Sequence, residues 1–292
     1  MSECLCVIGV GLIGGSVALA ARRSGLYGSI VGYDVDADNL RQGLKLGVID
    51  RAASSITNAV QAANLVVIAS PVGAIKQLFT ELQPVWTDYC VYTDVGSTKQ
   101  SVIADAEAVF GEAPDNLVAG HPIAGTENSG VNAAFAELFD HKQVILTPLA
   151  TTQQSAIDTV RIFWEQAAHA QVSEMQPQHH DHLLAATSHL PHVVAYALVN
   201  LLNRQSDSEE IFQFAASGFR DFTRIASSNP RMWTDICLAN RQQIVELLKN
   251  YQNELSEIVQ LLEGNRSAAL HECFSSARNG RERFLDINNQ DN

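Results

Sequence analysis

The run Leu5-Cys6-Val7-Ile8 passing at once into Gly9-Val10-Gly11-Leu12-Ile13-Gly14 constrains this chain more than any other feature. A short apolar strand that breaks into G-x-G-x-x-G and then into a helical pattern, Gly14 to Ser24, predicts a βαβ unit with a dinucleotide fingerprint. Gly9 permits the tight turn, Gly11 lets the main chain approach a pyrophosphate, and Gly14 allows close helix–strand packing. Leu12 and Ile13 belong to the same loop, whose free amides face phosphates at the helix start. The second apolar run, Ser29 to Tyr33, ends at Asp34, where a ribose-binding acid is expected. A carboxylate there accepts hydrogen bonds from both ribose hydroxyls and repels a 2′-phosphate. No arginine follows at once, only Val35 and Asp36, so NAD is expected over NADP. Ser70, just past the third run, is grouped with these cofactor residues. The competing reading, glycines serving only a turn, leaves the strand, spacing, helix and acid as coincidences.

Further runs at Leu65–Ala69, Cys90–Thr93 and Val144–Thr147 alternate with amphipathic stretches such as Val72 to Leu82. Continuous β-rich runs between helices predict a parallel sheet covered on both faces. The pattern changes after about Gln176. Helical stretches follow at roughly 179–202, 230–248 and 254–262, with no convincing strand. The expectation is an α/β chain with a Rossmann doubly wound sheet in residues 1–172 and a helical domain in residues 173–292. Ile244, Leu247, Leu248, Leu255, Ile258, Leu261 and Leu262 form a wide apolar stripe. Such a stripe serves either a core or a dimer seam.

The net charge of −13 argues against nucleic acid or an acidic membrane as partner. A small anionic substrate is compatible with it, because a few local arginines outweigh the global field. Five scattered cysteines carry neither zinc spacing nor a disulfide framework, so a cytoplasmic setting is expected. Cys4 and Cys6 are read as packing residues on opposite faces of the first strand. No basic leader region is apparent, and no apolar run reaches membrane-span length.

Two polar loops are placed for chemistry. Asp94-Val95-Gly96-Ser97-Thr98-Lys99 follows the fourth strand, and Gly120-His121-Pro122-Ile123-Ala124-Gly125-Thr126-Glu127 follows Leu117-Val118-Ala119. A carbinol losing hydride needs a base for its hydroxyl proton, a group to orient the base, and charge to hold the substrate. His121 titrates near neutrality and is the natural base, with Ser97 as a candidate partner. A solvated loop histidine is the alternative on these residues alone.

These motifs, with Ser188-His189-Leu190-Pro191-His192 and Gly218 to Ala226, stand in one order, and in that order the chain resembles the prephenate dehydrogenase family of tyrosine biosynthesis. The resemblance spans about residues 4 to 250. It implies an N-terminal Rossmann domain, an all-helical dimerisation domain, a homodimer, and NAD-dependent oxidative decarboxylation of prephenate or its amino analogue arogenate. By the match, His121 is the catalytic histidine and Ser97 its hydrogen-bonding companion. His189 approaches the substrate side chain, and Arg224 pairs with a substrate carboxylate. Glu127, with Thr126, lies at the pocket. On its length, neither a fused chorismate mutase nor a regulatory ACT domain is expected, while inhibition by tyrosine at the active site stays open.

Five of the nine histidines fall between His179 and His192. No cysteine or H-E-x-x-H pattern accompanies them, and hydride chemistry here needs no metal, so none is expected. His189 is read as lining the pocket, and the others as capping, bonding or solvent-facing. Two rivals remain. A β-hydroxyacid dehydrogenase would want a lysine on a helix past the Rossmann domain, and none stands between Lys142 and Lys249. A non-catalytic dinucleotide-sensing protein would need Asp34 and the glycines, but not His121, Ser97 and Arg224 together.

Overall fold

The computed structural model describes residues 3–126 and 128–289. Glu127 lies outside the described residues. Contacts divide the chain into two units, Met1–Gln243 and Ile244–Asn292.

The first unit opens with β1 (Glu3–Ile8), α1 (Leu12–Ser24), β2 (Tyr27–Tyr33), α2 (Ala37–Lys45), β3 (Arg51–Ala52), α3 (Ile56–Val60), β4 (Leu65–Ile68), α4 (Ile75–Leu82), β5 (Val91–Asp94), α5 (Gln100–Phe110) and β6 (Leu117–Val118). Six parallel strands form one sheet in the order β3-β2-β1-β4-β5-β6. The order reverses between β1 and β4, and open α/β sheets bind ligands at that switch point, beyond the strands' carboxyl ends. The period-2 alternation sends Leu5, Val7, Leu65 and Val67 to one face and Cys6, Ile8, Val66 and Ile68 to the other. Both faces are covered, which is why these strands read as unbroken apolar runs. Each such side chain taken from water contributes about 1.5–3 kcal/mol.

The structure corrects five local expectations. Cys4 and Cys6 share one face, in one buried cluster with Cys90, because residues two apart on a strand point the same way. The run beginning at Val144 belongs to β8 (Gln143–Leu146), which lies outside the main sheet. It pairs antiparallel with β7 (Gly120–Pro122) and, beyond α6 (Gln154–Ile162), parallel with β9 (Gln171–Glu174). The segment read as a loop around His121 is therefore a strand. Its partner lies more than twenty residues downstream, which no local pattern reveals.

After β9 the described chain is helical. The stretch expected as one helix over 179–202 is α7 (Pro177–Leu184) and α8 (Leu190–Asn203) joined by a π-helical turn, Ala185–His189. Then come α9 (Ser208–Gln213), α10 (Ser217–Thr223) and α11 (Pro230–Ala239). The fifth correction falls at Asn240, which separates α11 from α12 (Arg241–Glu263) within the stretch expected as continuous over 230–248.

The second unit holds α12 from Ile244 onward and α13 (Ser267–Asn289). A turn at Asn265, with φ of 49°, connects them. Leu255, Val259, Leu262, Phe274, Phe284 and Ile287 are at least 45% exposed, so this unit keeps apolar surface uncovered in the single chain. Among the described residues, no helix is long and apolar enough to cross a membrane.

Candidate active site

The glycine loop leaves β1 at the switch point. Gly9 has φ of +96°, and a Cβ there would lie 2.4 Å from the Ala69 carbonyl oxygen. A Cβ on Gly14 would lie 1.9 Å from the Gly9 carbonyl oxygen. Both positions exclude a side chain for internal reasons. Gly11 differs, since a Cβ there would meet nothing within 4 Å. Its bare face opens on a cleft of about 590 Å³ lined also by Leu12, Ile13, Ser70, Ser97, His121 and Thr126. Asp34 sits at the end of β2. Its Oδ2 accepts the Val10 N–H at 2.7 Å and its Oδ1 the Asp36 N–H at 2.8 Å. The carboxylate is thus anchored to the glycine loop it serves. The Ser70 hydroxyl is buried without a hydrogen-bond partner among the described residues. An unpartnered hydroxyl beside a glycine cradle, with one glycine facing open space, fits the polar spine of a dinucleotide.

His121 enters the cleft from β7, only 9% exposed. Its Nδ1 lies 2.9 Å from His180 Nε2. His180 Nδ1 in turn lies 2.8 Å from Asp181 Oδ1. The carboxylate can only accept, so His180 carries its proton on Nδ1. Its Nε2 then accepts from His121 Nδ1–H, and His121 Nε2 keeps its lone pair. Asp181 also accepts the amides of Lys99 at 2.8 Å and Gln100 at 3.0 Å, at the start of α5. Burial alone would raise the Asp181 pKa, but the His180 bond and the two amides outweigh it and hold the carboxyl below its ordinary value. Burial lowers the His180 pKa despite Asp181. Burial, with the charges of His180, Lys99 and His189, pushes His121 well below the ordinary histidine value of 6.5.

His189 closes the π-helical turn, 1% exposed. Asn240 Nδ2, a donor only, bridges the Asp181 carbonyl at 2.7 Å and His189 Nδ1 at 3.2 Å. His189 therefore holds its proton on Nε2, which is buried near the Ser97 main chain but makes no hydrogen bond of normal geometry among the described residues. Burial drives its pKa to about 4. Trp233 stands edge-on to His189 at 6.0 Å and stacks on His192 at 3.7 Å. Asn240 thus breaks the helix where its side chain is needed inside.

Most residues expected for the site meet at one cleft, whereas His189, 1% exposed and expected to line the pocket, is not among the residues lining it. Gly11, Leu12, Ile13, Ser70, Ser97, His121 and Thr126 line one cleft, with Gly9, Gly14 and Asp34 shaping its floor. No hydrogen bond joins Ser97 to His121 among the described residues; the His121 partner is His180. Arg224 begins an exposed 3-10 turn, Arg224–Ser227, beside His192, and forms no ion pair among the described residues, with Asp221 or any other acid. Its turn leads directly into Ser227, Ser228 and Asn229, which line the cleft. Glu127 lies outside the described residues.

Sequence reasoning missed His180, Asp181 and Asn240. The adjacent His–Asp pair behind Pro177 was the available signal. Nothing local joined it to a histidine 59 residues away. Among the described residues, no group of three or more His, Cys, Asp or Glu side chains is arranged to hold a metal.

Comparison with known proteins agrees along the whole chain. Residues 17–173 match the family model for the prephenate dehydrogenase nucleotide-binding domain, and residues 176–276 that for the prephenate dehydrogenase dimerization domain. The chain is 37% identical to the prephenate dehydrogenase of Bacillus subtilis over 97% of its own length and 76% of that protein. It is 34% identical to the cyclohexadienyl dehydrogenase of Zymomonas mobilis, covering 95% and 94%. Among solved structures, prephenate dehydrogenase from Aquifex aeolicus, in complex with hydroxyphenyl propionate and NAD+, superposes with a TM-score of 0.90 at 34% identity, covering 97% of this chain and 99% of that one. The arogenate dehydrogenase of Synechocystis gives 0.80 at 25% identity, covering 97% and 100%. Matched from its nucleotide-binding half through its dimerization half, this chain belongs to the prephenate dehydrogenase family.

Proposed function

We propose that this chain catalyses the NAD-dependent oxidative decarboxylation of prephenate to 4-hydroxyphenylpyruvate, with His121 as general base. The observation that carries the reading is the His121 Nε2 lone pair, left free by the His180–Asp181 relay, in a cleft continuous with the glycine loop. Gly9, Gly11, Gly14 and the amides of Leu12 and Ile13 would hold the pyrophosphate, Asp34 the ribose, and Ser70 a further polar group of NAD. Bound NAD supplies the acceptor for the hydride. His121 Nε2 takes the hydroxyl proton from the ring carbon that loses hydride. The ring carboxylate then leaves as CO2, the phenolate oxygen takes the proton back from His121, and aromatisation makes the step effectively irreversible. Arg224, which forms no ion pair among the described residues, suits a carboxylate of the dianionic substrate, because guanidinium binds carboxylate bidentately. His189 presents Nε2–H to the substrate side chain. Ser97 and Thr126 complete the polar wall, and Glu127 is assigned an influence on substrate binding by the family resemblance alone.

Because His121 is held neutral far below pH 6.5, its base form is complete at neutral pH. The acid limb of kcat/KM should therefore lie below the ordinary histidine range. Steady-state kinetics of the wild type with prephenate and arogenate, each with NAD and NADP, test the assignment. Turnover of prephenate with NAD is expected to dominate. Absence of turnover with either substrate would return the chain to a dinucleotide-sensing role. His121→Asn should bind NAD normally while kcat falls by about 10²–10⁴-fold, the usual worth of general base catalysis.

The exposed apolar side chains of α12 and α13 support a homodimer through the C-terminal helices. The match to a dimerization domain over residues 176–276 supports the same assignment. The change to helices after β9 supports a division of labour near residue 172, with cofactor binding before it and substrate binding and dimerisation after it. Five free thiols support a cytoplasmic setting.

A further inference from the structure

We infer that the buried Asp94–Lys99 ion pair is a positioning device for the base: it clamps the residue before His121 and ties that strand to the far end of the histidine relay. The inference rests on reading His121 as the base. Both side chains are wholly buried. Lys99 Nζ donates to Asp94 Oδ2 and to the Gly120 carbonyl oxygen, each at 2.5 Å. Asp94 Oδ1 accepts the Gly120 N–H at 3.2 Å, and Oδ2 also accepts the Gly96 N–H at 2.7 Å. Gly120 therefore gives its donor to one member of the pair and its acceptor to the other. The next residue is His121. The main chain of Lys99 reaches the opposite end of the relay, donating to Asp181 Oδ1, the same oxygen that faces His180. One residue thus bonds the base's strand through its side chain and the relay's carboxylate through its amide.

Fold stability does not require charges here. Replacing a buried ion pair with apolar side chains of similar volume is often neutral or stabilising, so retaining one calls for another reason. Geometry supplies it. Gly120 sits in a two-strand ladder of three residue pairs, too short to fix a side chain alone. A clamp on both of its polar groups sets where the His121 ring lies relative to His180. The groups facing His121 are His180 and Asp181 from α7, Asp94 and Lys99 around β5, and His189 from the turn before α8. Burial is the main reason that His121 and His180 stay neutral, and the Lys99 charge adds to it on both.

The test compares the wild type with Lys99→Met and with the double variant Asp94→Asn/Lys99→Met, whose asparagine keeps an oxygen for the Gly96 amide. Folding is followed by circular dichroism, NAD binding by titration, and the base by the pH profile of kcat/KM and by 15N-histidine NMR titration of His121. The double variant should fold and bind NAD as the wild type does. Its kcat should fall by about tenfold to a hundredfold, as expected for a displaced catalytic group. The acid limb and the His121 titration should both move up toward the ordinary histidine range. An unchanged kcat, or a limb and titration at their wild-type positions in either folded variant, would overturn the proposal. Failure of both variants to fold would overturn it too, by assigning the pair to global stability. The NMR titration needs no turnover, so a wrong substrate assignment and a wrong role for Lys99 give different results.

Discussion

A methyl group added to Gly11 and one added to Gly14 are the same chemical change in the same loop, yet they should fail differently. At Gly14 the new carbon overlaps the Gly9 carbonyl oxygen and Val7 Cγ1. Gly14→Ala should therefore lower stability by about 1–3 kcal/mol, typical of overpacking, and urea denaturation reads this directly. At Gly11 the carbon meets nothing within 4 Å. Gly11→Ala should cost at most about 1 kcal/mol, as a poorer residue at the start of α1, while NAD affinity collapses. Equal loss of stability in the two variants would contradict this division of roles. The three-glycine spacing was legible in the sequence. The roles of Gly11 towards ligand and Gly14 towards packing were legible too; the atoms that close off Gly9 were not, because Ala69 and Ser70 lie far along the chain.

At the scale of elements, Asp181 is the joint between α7 and α5. Its carboxylate accepts two amides at the start of α5 and holds the His180 ring. Asp181→Asn removes the charge from that helix terminus, at a cost of about 1–2 kcal/mol. It also offers His180 Nδ1 an amide group, so the tautomer that leaves His121 Nε2 basic is no longer enforced. By analogy with carboxylates that orient a catalytic histidine, kcat should fall by about 10²–10⁴-fold with little change in KM. A variant that loses stability but keeps kcat would reduce Asp181 to a helix cap. The sequence displayed every member of this network. It lacked the register of β7 against β8 and the crossing of α7 over α5, since both join segments far apart in the chain.

For the whole molecule, three buried histidines make stability pH-dependent. His121, His180 and His189 all have pKa values lowered by burial. The unfolded chain therefore binds more protons than the folded one below pH 6.5, and stability falls as pH drops through that window. For His189 the window runs from 6.5 to about 4, a loss of about 3 kcal/mol. Urea midpoints measured from pH 7 to pH 4 should fall steadily, and His189→Gln should flatten part of the slope. A flat profile would falsify the buried-neutral assignment. The apolar surface on α12 makes a second prediction at this scale. Leu255→Glu/Leu262→Glu should convert a dimer to monomer in sedimentation equilibrium, since neither side chain is buried in the single chain. An unchanged mass would place the dimer seam elsewhere.

Local chemistry was enough for the cofactor side. Strand, glycine spacing and acid are neighbours in sequence, and a βαβ unit folds from neighbours, so the order of residues alone determined the Rossmann sheet and the NAD cradle. The order of the downstream motifs also named the family, which added His189 and Arg224 to His121 and Ser97 as candidates. Only the tertiary structure decided what acts on His121. It turned an expected loop into a buried strand, set His180 and Asp181 behind the ring, and packed Asp94 and Lys99 beneath it. These contacts join residues from about twenty to more than eighty positions apart. They are fixed by sheet register and helix crossing, for which a single sequence carries no local mark.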